Sequence, residues 1–126
     1  GTNLLFTNGD ELVFGIEICE DLWSVTPPSN YLSSSGANVI FNLSASNELI
    51  GKQQYRHELV KTQSARCMGA YVYSSAGVGE STTDTVYGGD ALICEYGSIV
   101  AHNQRFELDS HLLYADIDLQ EIIAAK

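Results

Sequence analysis

Three short apolar runs, each ending in a cluster of small polar residues, constrain the fold more than any other feature of this sequence. They occupy residues 12–18, 38–43 and 70–76. Runs that are apolar at almost every position are typical of strands buried on both faces, which occur in the parallel sheets of α/β proteins. Because the carboxyl ends of parallel strands lie at one edge of a sheet, the three polar clusters would meet there. We therefore predict an α/β fold with its ligand site at that edge.

Turn and cap signals predict the elements around these runs. Asn8-Gly9 is a strong hairpin signal and would join a strand at 2–6 to the run at 12–18. A helix at 51–68, between the second and third runs, completes a βαβ unit. The other predicted elements are a late hairpin of 91–94 with 99–102, a last strand at 112–117, and a helix at 119–125 with Asp118 as its N-cap. The sheet is therefore expected to be mixed.

The composition excludes several classes of partner. Sixteen acidic against six basic residues give a net charge of −10, which argues against a nucleic acid or an anionic membrane surface. No apolar stretch approaches the length of about 20 residues that spans a bilayer. The cysteines Cys19, Cys67 and Cys94 lack the spacing of a disulfide framework or a zinc site, and reduced thiols indicate the cytoplasm. We expect a soluble, cytoplasmic protein without a metal site.

Cys19 is the strongest candidate for a reactive group. It ends the run at 12–18 and is followed at once by two acids and then, at Trp23, by an aromatic residue. A strand end that opens into a crevice can present a thiol as a nucleophile. The alternative is a small core residue, which is what most free cysteines are. The loop at 77–79 lacks both GxGxxG and the GK[ST] ending, so we do not assign phosphate binding to it.

Four of the six basic residues fall within one short segment, at Lys52, Arg56, Lys61 and Arg66. This segment is the predicted helix at 51–68. Lys52 and Arg56 would lie one turn apart on a face distinct from the apolar stripe that begins at Tyr55. A solvated helix face is the ordinary interpretation of such a charge cluster.

Several sequence blocks follow one another in an order and spacing that point to a family. They are GIEICEDLW at 15–23 followed by PP at 27–28, NLSAS at 42–46 with GK at 51–52, SARC at 64–67, AYVY at 70–73, and GVGESTTD at 77–84. Together they resemble the nitrilase, or carbon–nitrogen hydrolase, superfamily. CEDLW joined to GESTTD is most similar to the glutamine-hydrolysing domain of glutamine-dependent NAD⁺ synthetases.

The resemblance implies an α-β-β-α sandwich and a Glu-Lys-Cys triad. In that family the cysteine attacks the side-chain amide of glutamine, ammonia leaves, and water hydrolyses the glutamyl thioester with the glutamate as base. The lysine stabilises the oxyanion, together with a backbone N–H beside the cysteine. A thiol with an ordinary pKa of about 8.5 needs such a base or a positive charge nearby, because it is mostly protonated at neutral pH.

The sequence departs from the family at two triad positions. The family's glutamate and lysine precede the cysteine, but the residues before Cys19 include Glu11 and Glu17 and no lysine; the first lysine is Lys52. Glu17 alternates with isoleucines inside the nucleophile strand, and Glu11 lies in a turn. We therefore carry over only Cys19, as nucleophile. The chain opens with Gly1 and its only methionine is Met68, so we expect an excerpt: residues 1–126 as one partial domain lacking its N-terminal half.

Four further residues are candidate substrate contacts by the resemblance. Ser46 and Lys52 fall where the synthetase branch holds the α-amino and α-carboxylate ends of glutamine, and Lys52 stands where that branch often has arginine. Glu20 could bind the substrate amino group, and Trp23 could wall the pocket. The alternatives are a helix-capping serine, a solvated lysine, a surface acid and a core tryptophan.

The implied function is the supply of ammonia from L-glutamine to a separate synthetase domain, with this chain alone inactive. No cofactor is expected here, and ATP and Mg²⁺ would belong to the synthetase domain. The family implies a homo-oligomer. Two alternatives stay open: a non-catalytic nitrilase-like binding or assembly module, favoured by the two missing triad members, and another amidase of the superfamily, which would differ only in its pocket.

Overall fold

One six-stranded mixed sheet organises the fold. The computed structural model describes residues 4–80, 87–106 and 112–125. The strands are β1 (Phe6–Thr7), β2 (Val13–Ile18), β3 (Val39–Ser44), β4 (Ala70–Ser75), β5 (Ala91–Glu95) and β6 (Ser98–His102). They lie side by side in chain order, with β2, β3 and β4 parallel and the other pairings antiparallel. The predicted α/β class, βαβ unit and late hairpin are confirmed.

Two crossover helices cover one face of the sheet. Helix α1 (Pro28–Ser34) connects β2 to β3, and helix α2 (Lys52–Arg66) connects β3 to β4. Their apolar residues pack on the inward side chains of the strands in a core of Leu22, Leu32, Ala37, Ile40, Val60, Tyr71, Tyr73, Leu92 and Cys94. Within the described residues, no helix has the length and apolar character needed to cross a membrane.

Among the described residues, the opposite face is covered only near the amino ends of the parallel strands. Helix α3 (Leu119–Ala125) packs there through Ile122, which is fully buried against Val39 and Ala70. The helix begins as predicted, since the N–H of Glu121 donates to Asp118 Oδ1 at 3.0 Å. Near the carboxyl ends the same face is open, and Ile18 and Leu43, which pair in register, are 52% and 58% exposed.

The strand predicted at 112–117 is wrong. Residues 112–118 pair with no strand among the described residues, although their exposure alternates as it does in a strand. The alternation arises because Ile117 and Leu119 pack onto the apolar cluster beside α3 while their neighbours face outward. Alternating exposure shows only that one side of an extended segment is buried. The segment is a β-strand only if its backbone also forms hydrogen bonds with a neighbouring strand.

The solvated-face interpretation of α2 is also wrong at its centre. Arg56 is fully buried and shares the inner face of the helix with Val60, Gln63 and Ser64. These positions repeat at the spacing of an α-helical stripe. Tyr55, placed in the apolar stripe by its sequence position, is instead 58% exposed. Arg56 can occupy the core side because acidic residues of adjacent loops meet it there.

Candidate active site

A cavity opens at the carboxyl edge of the parallel strands. Its volume is about 520 Å³. The lining comes from the 3₁₀ helix after β2, the loop after β3 and the first turn of α2: Cys19, Glu20, Trp23, Ser24, Ala45, Ser46, Asn47 and Lys52. All five candidate residues of the sequence analysis are among them. Neighbouring strand ends of this kind are the usual ligand position in open α/β sheets.

Cys19 begins the 3₁₀ helix Cys19–Trp23 and is half-buried. Its φ of 47° lies in the left-handed region that favours glycine, a conformation that costs about 1–2 kcal/mol for an L-residue. Its N–H donates to Asn42 Oδ1 at 3.1 Å, and the N–H of Ile18 donates to Asp21 Oδ2 at 2.8 Å. These bonds hold the turn in which the strand ends at the thiol.

A buried hydrogen-bond chain runs from Cys19 into the core. Asn42 Nδ2 donates to the Tyr71 hydroxyl oxygen at 3.0 Å, and that hydroxyl donates to Glu17 Oε1. The Glu17 carboxylate also accepts from Ser29, from its N–H at 2.9 Å and its hydroxyl at 3.0 Å. Burial raises the pKa of Glu17, against the effect of these donors. The backbone of Cys19 is thus anchored to buried polar groups in the middle of the sheet.

Burial also raises the pKa of Tyr71, and the nearby Glu17 charge adds to the effect. The phenol therefore stays protonated and acts as a donor. Glu17 and Tyr71 lie on the helix-covered face, where burying a polar group without a hydrogen-bond partner costs free energy. Both have partners, because Glu17, Asn42 and Tyr71 stand on adjacent parallel strands and project to the same side of the sheet.

Both glutamates that precede Cys19 are engaged away from the cavity. Glu17 contacts Ser29 and Tyr71 behind the sheet. Glu11 lies before the start of β2, and its Oε1 accepts from Gln120 Nε2 at 3.1 Å. Since β2 has six residues, Glu11 and Cys19 are separated by roughly 20 Å of strand.

Lys52 lies at the first position of α2, on the wall of the cavity. Its Nζ donates to Asn47 Oδ1 at 2.6 Å and lies 5.6 Å from the centre of the Trp23 ring. Trp23 is half-buried and packs against the core, and its ring contacts that of Tyr55 at a tilt of 33°, with ring centres 5.3 Å apart. The lysine is therefore held by an amide and an aromatic face, and the tryptophan serves both the core and the cavity.

Ser46 is buried beneath the cavity, whereas Glu20 is exposed. The Ser46 hydroxyl accepts from Arg56 Nη2 at 3.3 Å, and its N–H donates to Ser75 Oγ at 3.2 Å. The alternative of a helix-capping serine is wrong, because the N-cap of α2 is Gly51 and no side chain caps it.

Arg56 is the centre of a buried ion network that the sequence analysis did not identify. Its Nη1 donates to Asp90 Oδ2 at 2.6 Å and to Glu48 Oε1 at 3.2 Å. Asp90 also lies 3.1 Å from His57 Nε2, and Arg105 Nη1 donates to Glu48 Oε2 at 2.6 Å. The sequence signal was available in the helical spacing of Arg56 with Val60, which marks a buried position rather than a solvated one.

The charges in this network stabilise one another. Burial opposes the charge of Arg56, but its hydrogen bond to Asp90 and the neighbouring Tyr73, Glu48 and Asp90 hold its pKa above the usual value. Burial likewise acts to raise the pKa of Asp90, and the hydrogen bonds from His57 and Arg56 outweigh it, so that this pKa is lowered. Both groups therefore stay charged at neutral pH.

The remaining predicted features lie apart from the cavity or outside the described residues. Cys67 and Cys94 are buried, and burial raises the pKa of the Cys94 thiol to about 11. Positions 81–84 of the GVGESTTD block and positions 2–3 of the first predicted strand lie outside the described residues. Within the part of the chain that the structure describes, no three His, Cys, Asp or Glu side chains cluster as metal ligands do.

Comparison with known sequences identifies the family to which the chain is similar. The family model described as carbon-nitrogen hydrolase matches residues 2–126. A glutamine-dependent NAD(+) synthetase of Mycobacterium leprae is 43% identical over 122 residues, which are 95% of this chain and 18% of that protein. The chain therefore spans less than a fifth of the length of this relative.

Solved structures give the same picture. A crystal structure of a glutamine-dependent NAD(+) synthetase from Cytophaga hutchinsonii aligns with a TM-score of 0.74 at 30% identity, covering 90% of this chain and 18% of that one. Nit3 of Saccharomyces cerevisiae, a member of branch 10 of the nitrilase superfamily, aligns with a TM-score of 0.73 at 22% identity, covering 90% of this chain and 40% of that one. The second likeness concerns the fold alone.

Proposed function

This chain belongs to the carbon–nitrogen hydrolase family, and on that premise we propose that it is part of the glutamine-hydrolysing domain of a glutamine-dependent NAD⁺ synthetase. The observation that carries the proposal is the cavity at the strand ends, which brings together Cys19 and four residues suited to hold an amino acid. The similarity to synthetases of that name supports the choice of glutamine.

Cys19 is the proposed nucleophile. Its sulfur adds to the side-chain amide carbon of glutamine, its proton passes through a base to the amide nitrogen, and ammonia departs. A glutamyl thioester remains. Water then adds to the thioester, the base takes the proton of that water, and glutamate leaves as the thiol is restored. The ammonia is consumed by a synthetase domain, to which we assign the ATP and Mg²⁺ of the complete reaction.

The base and the cationic oxyanion donor are proposed to come from outside this chain. Glu11 and Glu17 are engaged elsewhere, and Lys52 is bonded to Asn47. Of the two N–H groups that flank the thiol, that of Cys19 already donates to Asn42. The N–H of Glu20 precedes the first bond of the 3₁₀ helix, so it is the donor that we propose for the developing oxyanion.

The other cavity residues are proposed to hold the amino-acid end of glutamine. Glu20 carries the negative charge that an α-ammonium requires, and Lys52 the positive charge that an α-carboxylate requires. Lysine offers a point charge where arginine offers a planar fork, so the contact is less directional. Ser46 supplies a hydroxyl, and the Trp23 ring forms an apolar wall for the methylenes.

We propose that the chain is a partial domain. Ile18 and Leu43 leave apolar surface open on one face of the sheet, as a sandwich with one of its two sheets would. The chain also covers only 40% of Nit3, which has the same fold. On this proposal the isolated chain is inactive, and the complete protein forms a homo-oligomer in the cytoplasm, where the free thiols Cys19, Cys67 and Cys94 stay reduced.

A non-catalytic assembly module is the second candidate function. The observation that favours it is that both glutamates preceding Cys19, Glu11 and Glu17, and the cavity lysine Lys52 already have partners. In that case the open sheet face is the interface and Cys19 is a structural thiol. An amidase acting on another amide is the remaining alternative within the family.

Labelling with a glutamine-like electrophile, followed by peptide mapping of all three cysteines, tests the proposal in the longest natural polypeptide that carries this chain. We expect selective labelling of Cys19 that excess glutamine suppresses, and loss of ammonia release in Cys19→Ala. Cys67 and Cys94 serve as internal controls because both are buried. Labelling of Cys19 that excess glutamine does not reduce, together with no release of ammonia, would support the assembly module.

A further inference from the structure

Arg56 lies fully buried behind the cavity wall and contacts none of the proposed reacting atoms. Its guanidinium nevertheless makes bonds to three consecutive residues of the loop after β3. Nη2 donates to Ser46 Oγ at 3.3 Å and to the carbonyl oxygen of Asn47 at 3.4 Å, and Nη1 donates to Glu48 Oε1 at 3.2 Å. One side chain of helix α2 therefore holds three consecutive residues of the loop that forms one wall of the cavity.

The same contacts reach Lys52 indirectly. Asn47, whose carbonyl is held by Arg56, accepts from Lys52 Nζ at 2.6 Å through its side-chain oxygen. Lys52 in turn lies over the Trp23 ring. Arg56 and Lys52 are one turn apart on α2, so the helix carries both the fastening residue and the ammonium that it helps to place.

The geometry requires an arginine. Two nitrogens of the planar guanidinium, Nη1 and Nη2, donate four hydrogen bonds. The acceptors belong to Ser46, Asn47, Glu48 and Asp90. A lysine keeps the charge but has one nitrogen, and it cannot span these acceptors in the same way. A buried ion pair contributes little net stability compared with apolar packing, so positional specificity is the better account of its place here.

We infer that Arg56 is a positioning residue that determines recognition of the amino-acid end of the substrate. Arg56 fixes the position of the Ser46 hydroxyl directly and that of the Lys52 ammonium through Asn47. It takes no part in the reaction at Cys19. The inference rests on the proposed function for the identity of the substrate. The fastening of the wall itself is independent of it.

A kinetic comparison of Arg56→Lys with Arg66→Lys tests the recognition step in the longest natural polypeptide that carries this chain. Arg66 is the matched control, because it lies on the same helix, is exposed, and donates to Gln63 away from this cavity. We expect Arg56→Lys to raise KM for glutamine about tenfold with kcat within about twofold, and Arg66→Lys to change neither. A fall in kcat at unchanged KM would overturn the inference.

A second readout does not depend on glutamine. Acylation of Lys52 by a small amine-reactive reagent, quantified by mass spectrometry of the peptide that contains Lys52, reports whether Asn47 still holds the ammonium. We expect faster Lys52 acylation in Arg56→Lys and the wild-type rate in Arg66→Lys. Equal rates in the two variants would show that Arg56 does not hold the wall.

The milder variant Glu48→Gln keeps the test decisive if Arg56→Lys fails to fold. It removes one charge from the network but retains an oxygen acceptor for Arg56, and we expect a smaller rise in KM and in Lys52 acylation in the same direction. Absence of glutaminase activity in the wild type would remove the proposed function and the substrate assignment with it. Lys52 acylation would then still decide whether Arg56 positions the cavity wall.

Discussion

At the scale of single residues, the Tyr71 hydroxyl joins the candidate nucleophile to the core. It accepts from Asn42 and donates to Glu17, and Asn42 holds the backbone of Cys19. Tyr71→Phe removes this one oxygen, so we expect a loss of about 1–3 kcal/mol in the free energy of unfolding, because buried partners are left unpaired. Urea unfolding monitored by circular dichroism measures it.

Tyr73→Phe is the matched control for this change. Tyr73 is equally buried and lies on the same face of β4, but its hydroxyl donates to Ser44 Oγ, away from the chain that reaches Cys19. We expect the Cys19 amide to exchange its hydrogen about tenfold faster in Tyr71→Phe and at the wild-type rate in Tyr73→Phe. Similar exchange in both would contradict the anchoring role.

The buried carboxyl of Glu17 makes stability depend on pH. Its raised pKa means that the folded chain favours the neutral acid, so its contribution is fully present below the unfolded pKa of about 4.3 and is lost as pH rises through the folded pKa. We therefore expect the stability difference between wild type and Glu17→Gln to shift against the wild type as pH increases from about 4 to about 7. Unfolding in urea across this range tests the sign.

Glu20→Gln provides the reference for the pH experiment, because Glu20 is exposed. This variant removes one surface carboxylate, so it separates an effect of burial from a general effect of charge. A flat difference for Glu17→Gln would show that the donors from Ser29 and Tyr71 offset the burial of the carboxylate.

Single residues were predictable where local sequence carries the signal. Cys19 and Lys52 belong to contiguous motifs, and both line the cavity. Arg56, Asn42 and Tyr71 were missed because their partners lie far along the chain; Arg56 and Asp90, for example, are 34 residues apart. Glu17 and Asn42 did carry a signal, since a polar residue within an apolar run needs a buried partner.

At the scale of elements, two backbone segments approach each other closely where β3 and β4 begin, at Asn38 and Gly69, and this contact restricts the side chain at Gly69. A β-carbon there would lie 2.5 Å from the backbone oxygen of Asn38, which accepts from the N–H of Ala70. We expect Gly69→Ala to destabilise the fold by about 1–3 kcal/mol, because backbone must move to admit the methyl group. Thermal or urea unfolding gives the value.

Gly15→Ala is the comparison within the same sheet. Its added β-carbon would meet the tip of the Leu32 side chain at 2.8 Å, and that tip can rotate away. The loss should therefore be smaller than at Gly69. The reverse order would show that the β3–β4 junction is less rigid than its contacts indicate.

Element types followed from sequence where a pattern and a boundary signal agreed. Asn8-Gly9 precedes β2, and Asp118 caps α3. The segment at 112–117 has the alternating pattern of a strand but no neighbouring strand to pair with among the described residues. The sequence pattern alone does not show which strands are neighbours in the sheet. The buried face of α2 was misjudged because charge was given more weight than helical spacing at Arg56.

At the scale of the whole molecule, the open half of the sheet is the surface at which we expect association. Leu43 and Ile18 project from the uncovered face near the cavity edge. We expect the isolated chain to self-associate through this face, and Leu43→Lys to reduce that association because a charge there must be desolvated in any contact. Sedimentation velocity over a concentration series measures the change.

Tyr31→Lys is the control for surface charge. Tyr31 is 66% exposed on α1, on the other side of the sheet, so this substitution adds the same charge away from the open face. It should leave association close to the wild-type level. Equal effects of both variants would indicate a general charge effect instead of a specific face.

The strand order has a consequence for how the chain is made. Each strand of this sheet pairs with the strand that precedes it in the chain, from β1 to β6, and none skips a neighbour. Contacts that are near in sequence close small loops and form quickly. A polypeptide leaving the ribosome can therefore add each strand to an edge that already exists, and the sheet grows in the direction of synthesis.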